Sequence, residues 1–596
     1  MAKRNVPINY TSRDFESIRD DLVNYAKRYY PDTLKDFSEA SFGSLMLDTV
    51  AYVGDIMSFY LDYQVNESFI DTATEYNNIL RLASQMGYKF SGAKSTTGVV
   101  SMYAIIPANT VGLGPDTRYM PILKAGSVLK STGGSSFILT EDVRFDDPSN
   151  QIVAANTEAS TGAPTSYAVK AQGQVISGIF STESITVGPF RKFRTVRLDN
   201  PNLVEIVSMF DSEGHEYFQV EYLSQDVVYK SVPNTDENTR QNAPELMRPF
   251  VAARRFTVDR DAAGATLTFG HGSDSETGTV ADPSRVVLQM AAKDYVTDVS
   301  FDPSNLVGND KFGIGPANTT LTITTRENTS ENSNAAVGSV TTLSTPLYEF
   351  NDPTITNTTK ALNVVASIES YNEESFSGTS AQPTREEIRR HAMDAFSSQN
   401  RAVTSQDYEA LIYMMPGKFG AVKRARVVRD QDSLKRNLNV FIISEDSFGK
   451  LIQSNNALKE NLKIHLNRYR MINDTVDILD AKIVNIAIDF EVVSSEEVNK
   501  YEVLDSCIRA LRKRFSQAMY IGERFYLTDV YTELNKVRGV VDTSNAKLIS
   551  KSGGDYSSSS LNIDQYMSLD GRYLSVPDNV ILEIKFPLID IKGTVR

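Results

Sequence analysis

Residues 42–63 read FGSLMLDTVAYVGDIMSFYLDY, and this stretch decides the architecture of the first part of the chain. It is too apolar for a loop and follows helical rather than strand spacing. Met46, Val50, Val53, Met57 and Tyr60 step by four and three, while Leu45, Tyr52, Ile56, Phe59 and Tyr63 keep a parallel register with Thr49 between them. The spacing predicts one helix from Ser41 to Tyr63 with two apolar stripes. Asp48, Asp55 and Asp62 recur every seven residues on what should be a narrow wet face. Two of these carboxylates fall in the apolar window 42–61, and each costs roughly 2.5 to 3.5 kcal/mol near a bilayer centre. The segment therefore reads as a helix buried in protein, not as a membrane span.

Working outward, Thr11-Ser12-Arg13-Asp14 offers an N-terminal cap to a preceding helix whose face is Phe15, Ile18, Leu22, Tyr25 and Tyr29. A following helix, 69–86, repeats a seam with Phe69, Ala73, Tyr76, Leu80 and Ala83, and Gly87 is placed to end it. A helix apolar on two sides needs neighbours on two sides. Either an ordinary bundle within the chain supplies them, or other chains complete the bundle.

The whole chain has 596 residues, beyond what one core fills, and its composition (41% hydrophobic, 23% charged) is that of a globular protein. The texture predicts a multidomain α+β protein with five parts. These are a helical assembly domain over 1–94, β-rich domains over 95–250 and 251–368, and tandem α+β sandwich modules over 369–480 and 481–596. The Thr- and Asn-rich stretch 318–360 is expected to contain an exposed loop. A capping box at Thr384 and Glu387 should open a helix through Phe396, within the first α+β module.

Catalytic and cofactor chemistry has little to stand on. The single cysteine, Cys507, excludes intrachain disulfides and any all-thiolate metal site within one chain, and the four histidines (His215, His271, His391, His465) are widely scattered. No metal, cofactor or catalytic residue is assigned. His271-Gly-Ser273-Asp274 gathers triad residue types, but triads are assembled from distant elements. Asp259-Arg-Asp261-Ala-Ala-Gly264 resembles the start of a calcium loop but lacks its glutamate and reads as a hairpin turn. The net charge of −14 disfavours a broad nucleic-acid surface. Against it, 401–470 holds 13 Lys or Arg and 7 Asp or Glu, with Lys423, Arg424, Arg426 and Arg429 in or beside one strand. A solvated face, or one meeting an acidic neighbour, is the expectation, since no aromatics are interleaved for base stacking.

Three ordered motifs carry a family resemblance. The segment Phe42-Gly43-Ser44 through Asn66-Glu67-Ser68-Phe69-Ile70-Asp71-Thr72-Ala73, ending Leu82-Ala83-Ser84-Gln85-Met86-Gly87-Tyr88, resembles the N-terminal region of baseplate J-like proteins. Asp261-Ala-Ala-Gly264 leading to Phe269-Gly270-His-Gly272 is similar to the family's strand-turn-strand element. Asn400-Arg401-Ala-Val-Thr404-Ser-Gln-Asp407-Tyr408 is similar to its N-R-A-V-T-x-x-D-Y element. The length is similar to that of the larger wedge subunits of T-even-like contractile tails.

The resemblance implies a non-enzymatic virion component. It implies assembly with a second wedge protein through the N-terminal helices, self-pairing that closes a ring around the tail hub, and rearrangement on contraction. Hub and sheath-proximal tail proteins are further implied neighbours, with host cytoplasm the place of assembly and no nucleic acid or membrane insertion involved. The readings from other classes are a tail-associated cell-wall or glycan hydrolase, which needs a positioned carboxylate pair, and a host-surface adhesin.

Overall fold

The computed structural model describes residues 14–30, 41–109, 114–158, 163–233, 245–272, 312–329, 333–350, 357–376, 378, 382–430, 437–446, 448–495, 498–515 and 519–596. The chain divides into two compact units, Met1–Phe90 with Pro383–Gln399, and Ser91–Gln382 with Asn400–Arg596.

The first unit is helical. Helix α1 (Phe15–Tyr29) is capped by Asp14, whose side chain accepts from the Ser17 amide; Thr11, Ser12 and Arg13 lie outside the described residues. Helix α2 (Phe42–Glu67) is capped by Ser41 and runs one turn beyond the expected end. Helix α3 (Tyr76–Gln85) is correspondingly shorter than the expected 69–86. The Glu67 carboxylate explains the difference. It accepts from the Thr74 amide and hydroxyl at 2.7 Å each, from the Glu75 amide at 3.3 Å and from Asn78 Nδ2 at 3.0 Å, so the intervening residues fold into a turn. Gly87 ends α3 as expected. Its φ of +94° allows the Gly87 and Tyr88 amides to close on Ser84 and Ala83.

Helix α4 (Arg385–Ser398) opens with the expected capping box between Thr384 and Glu387. It packs against α3 instead of joining the module over 369–480. Arg389 holds it there, donating to the carbonyls of Ile70 (2.7 Å) and Ala73, while the Tyr76 hydroxyl donates to Pro383 O at 3.1 Å. The helical domain is therefore discontinuous in sequence.

In the second unit, one seven-stranded sheet takes strands from two distant stretches. Its order is Val340–Thr345, Val128–Ser131, Ser136–Leu139, Pro164–Ser177, Thr97–Pro107 and Glu369–Tyr371, with Gln151–Thr157 added beside Pro164–Ser177. Val100, Met102, Ala104, Ile106, Phe137 and Phe376 are among its core residues. The smaller sheets built from Ile179–Val187, Leu203–Phe210, Thr319–Glu327 and from Thr195–Leu198, Arg255–Asp261, Gly264–Phe269 lie between those two stretches in the chain. The β domains expected in succession over 95–250 and 251–368 are thus interleaved. Much of the Thr- and Asn-rich 318–360 stretch is strand, because alternating Thr with Leu and Ile suits a half-buried pleat.

Two α+β sandwiches follow. The first packs Ser405–Tyr413 and Asn456–Asn467 on strands Arg424–Arg429, Asn437–Glu445, Leu451–Ile452 and Thr475–Asp480. The second packs Lys500–Arg514 and Leu527–Asn535 on a sheet centred on Lys482–Ser494. Among the described residues, no helix is long and apolar enough to cross a membrane.

Candidate functional site: an inside-out helix

Helix α2 buries Ser44, Ala51 and Glu67 and leaves most of its large apolar residues in solvent. The seam residues Met46, Val50, Val53, Met57 and Tyr60 are 50 to 64% exposed. Phe42, Leu45, Tyr52, Leu61, Val65 and Phe69 are exposed as well. The side turned to α1 is made of small and polar residues. Arg19 Nε donates to Asp48 Oδ1 at 2.6 Å, and Ile18 lies over Gly54, which has no side chain to hold it off. Asp48, Asp55 and Asp62 are half-buried rather than the wettest positions, so the expected wet face is less exposed than the apolar seam. This inverts the usual surface helix, whose apolar stripe faces its own core.

The second half of the expected seam divides. Ala73 and Leu80 are buried inside the helical unit, Tyr76 is half-buried with its hydroxyl on Pro383, and Phe69 alone stays exposed. The turn held by Glu67 takes Ala73 out of helical register with Tyr76 and Leu80. Burial would push the Glu67 carboxyl up, but the donors from Asn78, Thr74 and Glu75 pull it down to about 2.

The motif residues build the fold and do not converge on a pocket. Asp261 Oδ1 accepts from the Ala263 and Gly264 amides, and Arg197 grips both Asp261 oxygens at 2.7 Å, locking the hairpin turn. A side chain at Gly264 would meet the Leu198 carbonyl. Phe269 is fully buried, Gly270 has no side chain to hold off the Gly313 carbonyl, and residues 312–315 cross there: Gly272 N donates to Gly313 O, and Gly315 N to Gly272 O. Asn400, with φ of +58°, follows Gln399 in the left-handed region and ends α4; Arg401 is exposed. Thr404 and Asp407 form a capping box, and the buried Tyr408 donates to Asp474 Oδ2 at 2.9 Å.

The basic strand is largely used within the chain. Arg424 is buried, with its guanidinium 4.5 Å from the centre of the Tyr520 ring, and Arg426 pairs with Asp578 at 2.7 Å. Lys423 pairs with Glu445 at 2.8 Å. The acidic partners are its own.

His271 stacks on Phe193, with ring centres 5.6 Å apart, and meets Phe312 edge-to-face at 5.3 Å; Ser273 and Asp274 lie outside the described residues. One cluster that sequence spacing missed is Asp211, Glu213 and His215. Asp211 there closes a turn, accepting from the Glu213 and His215 amides and facing His215 Nδ1 at 3.2 Å.

No curated protein matches the chain in sequence. Among solved structures, the anti-feeding prophage baseplate (cryo-EM, 6-fold symmetrised) is 10% identical over 99% of this chain and 100% of its own, with a TM-score of 0.25. A chain of the type VI secretion TssK-TssF-TssG baseplate subcomplex is 9% identical over 74% of this chain and 96% of its own, with a TM-score of 0.24. At those scores the overlays carry no weight for the architecture. Residues 14–85, the stretch that holds the helices bearing the exposed apolar face, match the family model described as bacteriophage baseplate protein, N-terminal domain.

Proposed function

We propose that the chain is a structural, non-enzymatic subunit of a phage tail baseplate wedge of the J-like type. The observation that carries this is the inverted burial of α2 within the stretch that has a baseplate counterpart. An apolar surface of this extent on a helix is an interaction site in a soluble assembly. On this reading α2 is completed by a helix of a second wedge protein. Self-pairing through the N-terminal helices and the modules after 369 closes the subunits into a ring around the tail hub, which rearranges when the tail contracts. Exposed Tyr501, Leu588 and Ile589 on the C-terminal module suit such pairing. The site of action is the virion tail, after assembly in host cytoplasm.

The test is co-expression with candidate wedge proteins followed by pull-down and electron microscopy. A stable complex lost on Val53→Asp supports the reading. Retention of the complex by that variant sinks it. An assay of the pure protein on cell-wall substrate checks the hydrolase reading, which predicts turnover.

A further inference from the structure

Arg326, on strand Thr319–Glu327, is 1% exposed, and its guanidinium is incompletely used. Nε donates to Glu205 Oε1 at 2.8 Å, and Nη1 donates to Ser95 Oγ at 2.6 Å and to the Ser177 carbonyl at 2.7 Å. Nη2 is buried and has no acceptor among the described residues. The pair with Glu205 is thus made through one nitrogen, where a guanidinium and a carboxylate often meet through two. A guanidinium keeps its proton in any protein setting, so Nη2 carries two unmet N–H donors on a buried charge, which is costly to leave unanswered. The place for this side chain is reserved by the fold: a methyl group at Gly178 would come within 2.9 Å of Arg326 Cγ. The charge around it does not balance either. Arg260 reaches the same junction and donates to the Ser91 carbonyl at 2.7 Å. Burial pulls the Arg260 guanidinium below its ordinary value; Glu205 opposes that fall and Arg326 adds to it, so the three groups feel one another. Two cations therefore share one carboxylate. Glu327, the next acid along the strand, lies with Thr325 on the opposite face, where the Thr325 hydroxyl donates to it at 3.5 Å.

We propose that Nη2 of Arg326 and the excess positive charge of Arg260 hold a small anion of the chloride class. A water molecule could accept from Nη2 but would leave the extra charge unanswered, whereas an anion meets both needs. The burial of Arg326 selects a monatomic ion over a bulkier phosphate or carboxylate ligand. Bound there, the ion ties segment 91–95 to strands Leu203–Phe210 and Thr319–Glu327 and to the end of Pro164–Ser177, where two of the β sheets meet. This site is separate from the helical contact proposed above and does not depend on it.

The test is thermal unfolding of the full chain at constant ionic strength in sodium chloride, sodium bromide and sodium gluconate. Each tenfold rise in chloride, with gluconate making up the balance, should raise the melting temperature by about 2 °C, because a ligand held by the folded state alone stabilises it by mass action. Bromide should act like chloride. Arg260→Gln, at a half-buried position, removes the excess cation and should flatten the halide dependence. Glu205→Gln leaves both cations without a carboxylate and should move the dependence to about tenfold lower chloride. Should that second variant fail to fold, Arg260→Gln carries the comparison. A parent chain whose melting ignores halide overturns the proposal. So does a halide dependence that persists unchanged in Arg260→Gln, which would be a general salt effect.

Discussion

Helix α2 and the strand Lys482–Ser494 are similarly rich in large apolar residues, yet they treat them in opposite ways. The strand is flanked by Val540–Lys551, Val580–Glu583 and Ile591–Val595, and its alternate residues Val484, Ile486, Ile488, Phe490 and Val492 all enter one core with helices of the same module. The helix turns Ser44, Asp48 and Ala51 toward its own chain and Met46, Val50, Val53 and Met57 away from it. Apolar content alone therefore does not say whose core a residue belongs to. The strand completes its core within the chain; the helix leaves its apolar side in solvent.

The sharpest way to break this contrast is a matched pair of substitutions. Ile488→Asp should cost about 4 kcal/mol or more of folding stability, because it buries a carboxylate with no partner. Val53→Asp should leave the melting of the free chain within about 0.5 kcal/mol, since the site is wet, yet weaken association with a wedge partner roughly a hundred- to a thousandfold. Thermal unfolding and pull-down read the two effects separately. A large loss of stability from Val53→Asp with partner binding intact would place the seam inside the chain.

A smaller effect separates motif from interface. Gly270→Ala would drive a methyl group into the Gly313 carbonyl oxygen, and it should lower stability by about 3 kcal/mol in denaturant titration, with no effect specific to partners. Unaltered stability would mean that the Phe269-Gly270-His271-Gly272 crossing gives way easily.

Glu67 tests how the helical unit holds itself. Its ordinary value of 4.5 falls to about 2 in the folded chain, so the folded state prefers the ionised form. That stabilisation is complete above about pH 4.5 and disappears as pH falls through about 2. Helix content followed by circular dichroism between those limits should fall earlier in Glu67→Gln than in the parent, with a loss of about 2 kcal/mol at neutral pH. A variant that matches the parent at pH 7 would show that the turn between α2 and α3 needs no carboxylate.

The smallest effect is Arg19→Ala, which removes a half-exposed ion pair with Asp48 and should cost less than about 1 kcal/mol, less still in high salt. A greater loss would mean that the polar side of α2 contributes more to the free unit than its exposed side does.

Local chemistry settled much of this protein in advance. The periodicity of 42–63, the capping box at Thr384, the Gly87 stop and the alternating strands of the C-terminal modules all act over one or two turns, and all appear where spacing puts them. The turn reading of Asp261 to Gly264 held for the same reason. Tertiary structure decided what depends on distant partners. The pairing of 97–177 with 340–371, the docking of α4 on α3 and the internal use of Arg424 and Arg426 each join residues far apart in the chain. Which stripe of α2 faces inward belongs to the same class. The sequence shows two apolar stripes and one acidic one, but only packing against α1 selects the acidic, small-residue side, because Arg19 needs a carboxylate and Ile18 needs the space over Gly54.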